Sequence, residues 1–373
     1  MNKNQPPKVV SADASYEDLS PALEKVVEEL DLSSRLSELR GKKVFIKPNM
    51  LGAFPPEKHV TTWPALVTLT VRLFRDAGAE VVVGDNCGVG GYGLNQRVAN
   101  KTGIAEASEG AYENVARDTV QVDFDSRYMD SIVVSRAMLE ADYLISLPKM
   151  KTHGLTLVTG AVKNMFGLVA GAGKGRAHAG APGNKDFGRI LSDIFSIRPP
   201  DLTIMDAITA MEGNGPSSGK PKQVNKLLAS TNAVALDTIM CRMMGVPATE
   251  VHHIRYASQR GHGPVEPERI ELWGEAPPIR FKLPVTVHRL SCVGRFINQR
   301  FFQPLSHSKL VLDKEKCRKC KLCVDGCPTG AMTMEEYPVV NDELCIRCLC
   351  CQELCPESAW QVKGFFGRYF SRG

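Results

Sequence analysis

The sequence lacks any long hydrophobic run. None of its apolar stretches approaches the ~20 residues that a membrane-spanning helix needs. The N-terminal segment is polar, which predicts that there is no secretory signal peptide, and Asn2 excludes N-myristoylation, which requires glycine at that position. Low-complexity segments are also absent. Together these features favour a globular protein of the cytoplasm.

The sequence also lacks a large excess of charge of either sign. The chain carries 46 Lys and Arg against 41 Asp and Glu, which gives a net charge of +5 at pH 7. This excess does not argue for nucleic-acid binding, but it is compatible with acidic partners or an anionic small-molecule substrate. A length of 373 residues exceeds the usual size of one domain. We therefore expect two domains, at residues 1–300 and 301–373.

Cysteine, in contrast, is concentrated near the C-terminus in two runs of the spacing C-x2-C-x2-C-x3-C, each followed directly by proline. The first run is Cys317, Cys320, Cys323 and Cys327, and the second is Cys345, Cys348, Cys351 and Cys355. This is the pattern of bacterial ferredoxins with two [4Fe–4S] clusters. Structural zinc, which takes four ligands in separated pairs, and a disulfide framework, which needs an oxidising compartment, are the less favoured alternatives.

The resemblance to those ferredoxins implies that each cluster takes its fourth ligand from the other run. Cluster one then takes Cys317, Cys320, Cys323 and Cys355, and cluster two takes Cys345, Cys348, Cys351 and Cys327. Cys350 breaks the strict pattern. We interpret it as a spare thiol near cluster two that could compete as a ligand.

Strand and helix patterns alternate before the cysteine runs. Strands are predicted at residues 44–46, 80–83, 131–134, 143–146 and 202–205, and helices at 20–30, 63–77, 136–140 and 233–244. This alternation predicts an α/β domain with a mainly parallel sheet, followed by a small α+β ferredoxin-like domain. The proline-rich segment 264–287 is interpreted as a wrap or linker, with a helix at 291–302. The tail 365–372, with four aromatic residues and two arginines, is expected to pack on the protein itself, and a contact with a membrane surface or a partner is the alternative.

Four motifs carry a family resemblance. They are KPN at 47–49, SLPKMKTH at 146–153, KNMFG at 163–167, and DA at 206–207 with MEGNGP at 211–216. In these motifs, and in their order, the chain resembles the DUF362 family over roughly residues 43–245. That family is widespread in anaerobes and often carries a C-terminal ferredoxin unit. The resemblance implies an α/β fold and a redox setting, but little about a substrate.

The motif at 146–153 also suggests a site. Lys149, Lys151 and His153 occupy alternate positions just past a predicted strand, so they are expected to share one face. Open α/β sheets bind ligands at the carboxyl ends of their strands. We predict a crevice there, whose lysines hold an anion and whose His153 supplies a proton. Its residues are Lys47, Asn49, Lys149, Lys151, His153, Lys163 and Asn164. A solvated basic loop is the alternative.

Further candidates lie around this crevice. Asp206 and Glu212 are predicted to flank a turn after the strand 202–205 and to hold a metal or serve as a general base. The glycine-rich segment 167–178 is interpreted as a mobile lid or a surface loop, and it fails the Walker pattern. The sequence Gly88-x-Gly90-x-x-Gly93 is too weak a signal to predict nicotinamide binding. Cys87 is a nucleophile, a thiol ligand or neither.

Three functions are compatible with these features. The leading hypothesis is an iron–sulfur oxidoreductase whose clusters pass single electrons to a ligand or cofactor held in the α/β domain. The second is an electron-transfer module that docks a partner enzyme without chemistry of its own, and the third is an acid–base enzyme with structural clusters. The first is favoured because basic and acidic groups converge at strand ends. It requires a redox partner protein and a ferredoxin unit that folds back over the crevice.

Overall fold

The computed structural model describes residues 5–88, 93–181, 183–284 and 309–363. The strands are β1 (Lys8–Asp13), β2 (Lys43–Pro48), β3 (Glu80–Val83), β4 (Thr119–Asp123), β5 (Ser131–Ser135), β6 (Tyr143–Leu147), β7 (Lys149–His153), β8 (Leu157–Val158), β9 (Leu202–Glu212), β10 (Lys220–Ser230), β11 (Glu271–Trp273), β12 (Lys309–Leu312), β13 (Met332–Met334), β14 (Pro338–Val340) and β15 (Trp360–Lys363). The helices are α1 (Ser20–Glu29), α2 (Leu32–Glu38), α3 (Pro64–Asp76), α4 (Gly93–Lys101), α5 (Ile104–Ala107), α6 (Arg136–Leu139), α7 (Ala161–Asn164), α8 (Gly173–Gly180), α9 (Asn184–Ile197), α10 (Ala233–Met244), α11 (His252–Gln259), α12 (Leu322–Asp325) and α13 (Cys350–Leu354).

The first part of the chain is built on a nine-stranded sheet. Its order is β11-β1-β10-β9-β6-β2-β3, and β7 joins β9 and β8 beside this path. The pairings from β9 through β6 and β2 to β3 are parallel, as are β1 with β11 and β7 with β9, whereas β10 runs antiparallel to both its neighbours. The predicted fold class, an α/β domain with a mainly parallel sheet, is confirmed.

Both faces of this sheet are buried, because successive residues of a strand point to opposite sides. In β2, Phe45 belongs to the core that includes side chains of α9 and α10. Its neighbours Val44 and Ile46 belong to the core that includes side chains of α1 and α3. Asn49 follows the carboxyl end of β2 and Asp85 lies two residues beyond that of β3, so loops at that edge of the sheet can form a site.

Helix α10 illustrates how local sequence sets an element. The Asn232 side chain accepts a hydrogen bond from the Ala235 backbone N–H at 2.9 Å, which caps the first turn. Gly245 ends the helix in the left-handed region, at φ 72°, where glycine carries no Cβ penalty. The observed helix has the bounds predicted from the sequence, 233–244.

Several predicted elements need correction. Strand β9 continues through Glu212, so Asp206 and Glu212 lie within a strand and do not flank a turn after residue 205. The strand continues because β10 pairs along nearly its whole length and β7 takes over from β6 on its other side. Strand β5 pairs with β4 in a separate two-stranded sheet.

The described part of the proline-rich segment wraps around the first domain. Its strand β11 extends the sheet beside β1, and the side chains of Ile270, Ala276 and Phe281 are buried. The segment 264–284 is therefore anchored to the first domain by a strand and by buried side chains. The predicted helix at 291–302, the tail at 365–372, the boundary at 300–301 and most of the loop after Gly88 lie outside the described residues.

The cysteine-rich unit is small and mixed. Strands β12 and β15 form one antiparallel pair, and β13 and β14 form another. Met332 and Trp360 pack against Cys323 and Cys351 in its core. Among the described residues, no helix is long and apolar enough to cross a membrane.

Candidate functional site

A cavity lies where the carboxyl ends of β2 and β3 meet the cysteine-rich unit. Its position agrees with the rule that open α/β sheets bind ligands at that edge. The lining residues are Asn49, Leu51, Asp85, Asn86, Cys87, Gly88, Lys151, Thr159, Lys163, Asn164, Phe166, Gly167, Lys174, His178, Pro216 and Glu353. Four of the predicted crevice residues, Asn49, Lys151, Lys163 and Asn164, are therefore together here.

Three buried lysines line this cavity. Lys151 Nζ donates to Asn49 Oδ1 at 2.8 Å and to the Val60 carbonyl at 2.9 Å, and Lys174 Nζ donates to the Asn86 carbonyl. Burial lowers the pKa of all three lysines, to about 8 for Lys174. An anion in the cavity would stabilise their charged forms.

Lys163 differs from the other two lysines. Lys163 is 9% exposed, and its ammonium group makes no hydrogen bond to any residue that the structure describes. The Phe166 ring centroid lies 5.9 Å from Lys163 Nζ. Lys163 therefore carries a buried cation whose three donors remain available to a ligand.

The neighbouring Lys47 is occupied by an ion pair. Lys47 Nζ lies 2.8 Å from Asp85 Oδ1, and the other Asp85 oxygen accepts from the Met50 backbone N–H at 3.0 Å. Gly167 packs directly on this pair, since a Cβ at that position would lie 1.9 Å from Asp85 Oδ1. Glycine is thus required at this position of the KNMFG motif, because the backbone lies too close to the ion pair to leave room for a side chain.

Lys149 and Asp206 are brought together, but outside the lining of the cavity. Lys149 Nζ donates to Asp206 Oδ2 at 2.7 Å and to Tyr16 Oη at 2.6 Å. The Asp206 carboxylate also accepts from Tyr16 Oη at 2.8 Å and from the Trp63 backbone N–H at 3.0 Å. All of these groups are satisfied, and Lys149 does not line the cavity beside Lys151.

His153 is buried at the junction between the two parts of the chain. Its Nδ1 accepts from the backbone N–H groups of Leu155 and Thr156, so a neutral ring carries its proton on Nε2. Nε2 lies 3.0 Å from Glu353 Oε1 of α13. Burial lowers the pKa of His153 to about 4, which keeps the ring neutral near pH 7. His153 thus contacts Glu353 and does not itself line the cavity.

Glu353 places a negative charge at the cavity wall. Although burial alone raises the pKa of this carboxyl, the contact with the His153 ring and the positive charge of Lys163 hold it below its ordinary value. The ferredoxin unit therefore contributes to the cavity, as expected. Further contacts support this position, since Ser217 Oγ donates to the Gln352 carbonyl at 3.1 Å.

The remaining candidates are distributed as follows. Asn164 donates to Ser146 Oγ at 2.9 Å and accepts from Asn49 at 3.1 Å, which fixes its amide at the strand edge. Glu212 accepts from the Lys282 backbone N–H at 2.9 Å and is not among the lining residues of the cavity. Cys87 lines the cavity, but burial raises the pKa of its thiol to about 12, which opposes a thiolate nucleophile.

The glycine-rich segment is also not a loop. Residues 173–180 form α8, which buries Lys174 and His178. The His178 ring stacks on Phe187 with centroids 4.1 Å apart, and it meets Phe166 edge-on at 5.8 Å. These contacts stabilise a helix that the glycine content disfavours. The predicted lid is therefore, in this structure, a packed wall of the cavity.

Two smaller cavities lie within the cysteine-rich unit. One is lined by Cys317, Cys320, Cys323 and Cys355, and the other by Cys327, Cys345, Cys348 and Cys351, with Cys350 beside them. These thiols are free. Four thiols around each cavity are the donor set that a [4Fe–4S] cluster takes, so the residues fit that cofactor.

Comparison with known protein families shows to which family the chain belongs. The model "Domain of unknown function (DUF362)" matches residues 44–242, and a "4Fe-4S dicluster domain" matches residues 309–356. The chain belongs to the DUF362 family. The second match adds an iron–sulfur domain to the DUF362 domain, as predicted.

This DUF362 protein is also similar to individual proteins. A thylakoid-associated protein of Synechocystis sp. is 34% identical over 219 residues, and the match spans 56% of this chain and 65% of that relative. The lactate racemase apoprotein of Thermoanaerobacterium thermosaccharolyticum gives a TM-score of 0.40 at 13% identity, covering 67% of this chain and 59% of that one. A protein of Thermotoga maritima gives 0.33 at 14% identity, covering 63% and 59%.

Sequence reasoning missed several lining residues of the DUF362 protein. Asp85 and Asn86 follow the predicted strand 80–83 after one glycine, so the strand-end rule could have included them. Glu353 gave no such signal, because it lies between cluster cysteines and reaches the cavity only through the packing of α13 on the first domain.

Proposed function

We propose that this DUF362 protein is an iron–sulfur oxidoreductase that binds an anionic small molecule or cofactor in the cavity. Electrons would come from a redox partner protein. One observation carries the proposal: helix α13 lines both the basic cavity, through Glu353, and the second cysteine cavity, through Cys350 and Cys351.

Binding of an anion follows from the charges of the cavity. Lys151, Lys163 and Lys174 contribute three ammonium groups, and the Asp85 carboxylate is already paired with Lys47. The single negative charge of Glu353 does not neutralise these three positive charges. A carboxylate or phosphate would offset the cost of burying these cations, and Lys163 offers hydrogen bonds that no described residue uses.

The cysteines would hold two [4Fe–4S] clusters. Cluster one would take Cys317, Cys320, Cys323 and Cys355, and cluster two would take Cys345, Cys348, Cys351 and Cys327. Such clusters supply single electrons at potentials that reach far below zero. Since thiolate clusters need a reducing environment, a cytoplasmic location remains part of the proposal.

A cavity lysine would supply the proton. Lys174 lines the cavity, and burial lowers its pKa to about 8, so its ammonium group is protonated at pH 7 and can release a proton there. A ligand that gains electrons becomes more basic, and a proton from Lys174 would neutralise it and leave a neutral amine. The nearby ammonium groups would stabilise the negative charge that develops before the proton arrives.

A binding experiment tests the proposal. Inorganic phosphate, pyrophosphate and acetate are titrated calorimetrically into anaerobic, cluster-loaded protein. At least one should bind, and Lys163→Met should weaken binding about tenfold or more, because a hydrogen bond to a charged group is lost. Lys101→Met, an exposed lysine at the end of α4, is the matched control and should bind like the wild type.

Two results would overturn the proposal. The wild type would bind none of the three anions, or Lys163→Met would bind as tightly as the wild type at equal iron content. The first result would favour a module that only docks a partner enzyme.

A further inference from the structure

A second set of metal-binding side chains lies beside the thiols assigned to cluster two. Atoms of His178, Cys348 and Cys350 that can ligate a metal all lie within 4.8 Å of one another. They come from parts of the chain about 170 residues apart, since α8 supplies the histidine and the second cysteine run supplies both thiols. Local sequence alone does not bring them together.

Cys350 has no role in the cluster pattern. The run formed by Cys345, Cys348 and Cys351 is complete without it. The side chain is nevertheless buried, with 1% of the residue exposed, and it lines the same cavity as the assigned ligands. Lys163 lies close enough for its positive charge to interact with a Cys350 thiolate. A second buried thiol is thus available next to Cys348.

His178 is the independent observation that points to a ligand. It is 3% exposed, and its Nδ1 has no hydrogen-bond partner among the described residues. Packing against Phe187 and Phe166 fixes the orientation of the ring. A buried nitrogen without a partner is costly, and a bound metal ion would satisfy a nitrogen of this ring.

We propose that His178, Cys348 and Cys350 bind one divalent transition-metal ion beside cluster two, with the Cys348 sulfur shared between the ion and the cluster. Two thiolates and one imidazole form a soft donor set, which favours zinc, nickel or cobalt over magnesium or calcium. Nothing in the cluster pattern or the family match assigns such a site.

The site would keep an open coordination position. Three protein ligands leave a tetrahedral ion one position short, as in catalytic zinc sites. His178 lines the basic cavity as well as contributing to this set, so the open position would be accessible from the cavity. An anionic ligand held by Lys163 could then bind the ion directly. The metal site stands on its own geometry and does not depend on the proposed oxidoreductase function.

Cobalt is the most informative probe, because its thiolate complexes absorb strongly and the ion is paramagnetic. Anaerobic, cluster-loaded protein is incubated with Co²⁺, desalted and analysed for cobalt and iron. We expect about one cobalt per chain, thiolate-to-cobalt absorption, and an altered electron paramagnetic resonance signal of the reduced clusters. Ni²⁺ and Zn²⁺ should compete for the same site.

Variants identify the ligands. Cys350→Ala and His178→Ala should each lose the bound cobalt and retain the wild-type iron content. Cys241→Ala, which removes a buried thiol of α10 far from the clusters in sequence, should retain both metals. Phosphate titrations on the same samples separate this inference from the proposed function, since Lys163→Met should impair phosphate binding and leave cobalt in place.

Three results would overturn the inference. The wild type would bind no cobalt, or both variants would still bind it. In the third case, Cys350→Ala would lose about four iron atoms, which would make Cys350 a ligand of the cubane itself. None of these results would bear on whether the cavity binds an anion.

Discussion

Lys149 Nζ lies 2.7 Å from Asp206 Oδ2, and neither side chain is exposed to solvent. The pairing of β7 with β9 places the two residues opposite each other. Tyr16 Oη accepts a hydrogen bond from Lys149 and donates one to Asp206. This arrangement fixes β7, the strand that also carries Lys151 and His153, against β9.

The ion pair should contribute to stability but not to ligand binding. Lys149→Met or Asp206→Asn alone should lower the free energy of unfolding by about 3 kcal/mol or more, since each leaves a buried charge without its partner. The double variant should be less destabilised than the sum of the two, because it leaves neither charge behind. Urea unfolding of the anaerobic protein measures these differences. Additive effects, or loss of phosphate binding in Lys149→Met, would contradict this assignment.

Glu353 should oppose anion binding while it holds the two units together. Glu353→Gln removes a negative charge that lines the cavity and acts on Lys163, so phosphate affinity should rise by about tenfold. Glu343→Gln, an exposed carboxylate of the same unit, should leave the affinity unchanged. Calorimetric titration measures both. Unchanged affinity in Glu353→Gln would show that its charge does not act on the bound anion.

The sequence predicted the edge of the sheet at which the cavity lies, but not the assignment of every lysine. The strand-end rule found Asn49, Lys151, Lys163 and Asn164, since parallel strands bring their carboxyl ends to one edge. It failed for Lys149 because the pairing of β7 with β9 shifts register between Lys149 and Lys151. Such an irregularity re-aims side chains, so simple alternation no longer holds.

Longer-range packing explains the other errors. Glycine content predicted a loop at residues 173–180, but the burial of Lys174 and His178 stabilises a helix there. The start of β10 is rich in polar residues, so the sequence did not predict a strand there. This strand pairs with β9 as far as Glu212. In both cases tertiary contacts outweigh local propensity, which a single sequence does not reveal.

The final prediction concerns the fourth ligand of each cluster, which we expect to come from the other cysteine run. Cys327 lines the cavity of the second run, and Cys355 lines that of the first. Wild-type protein prepared anaerobically should contain about eight iron atoms per chain, as two cubanes require. Cys327→Ala combined with Cys345→Ala removes two ligands of one cluster, so about four iron atoms should remain.

Cys327→Ala combined with Cys317→Ala provides the decisive comparison. This double variant removes one ligand from each cluster, so its iron content should fall well below that of the first double variant. If each run bound its own cluster, the order would be reversed, because Cys317 and Cys327 would then belong to the same cubane. Iron and sulfide analysis of the two double variants, with Cys241→Ala as the control for a buried thiol, distinguishes the two ligand assignments.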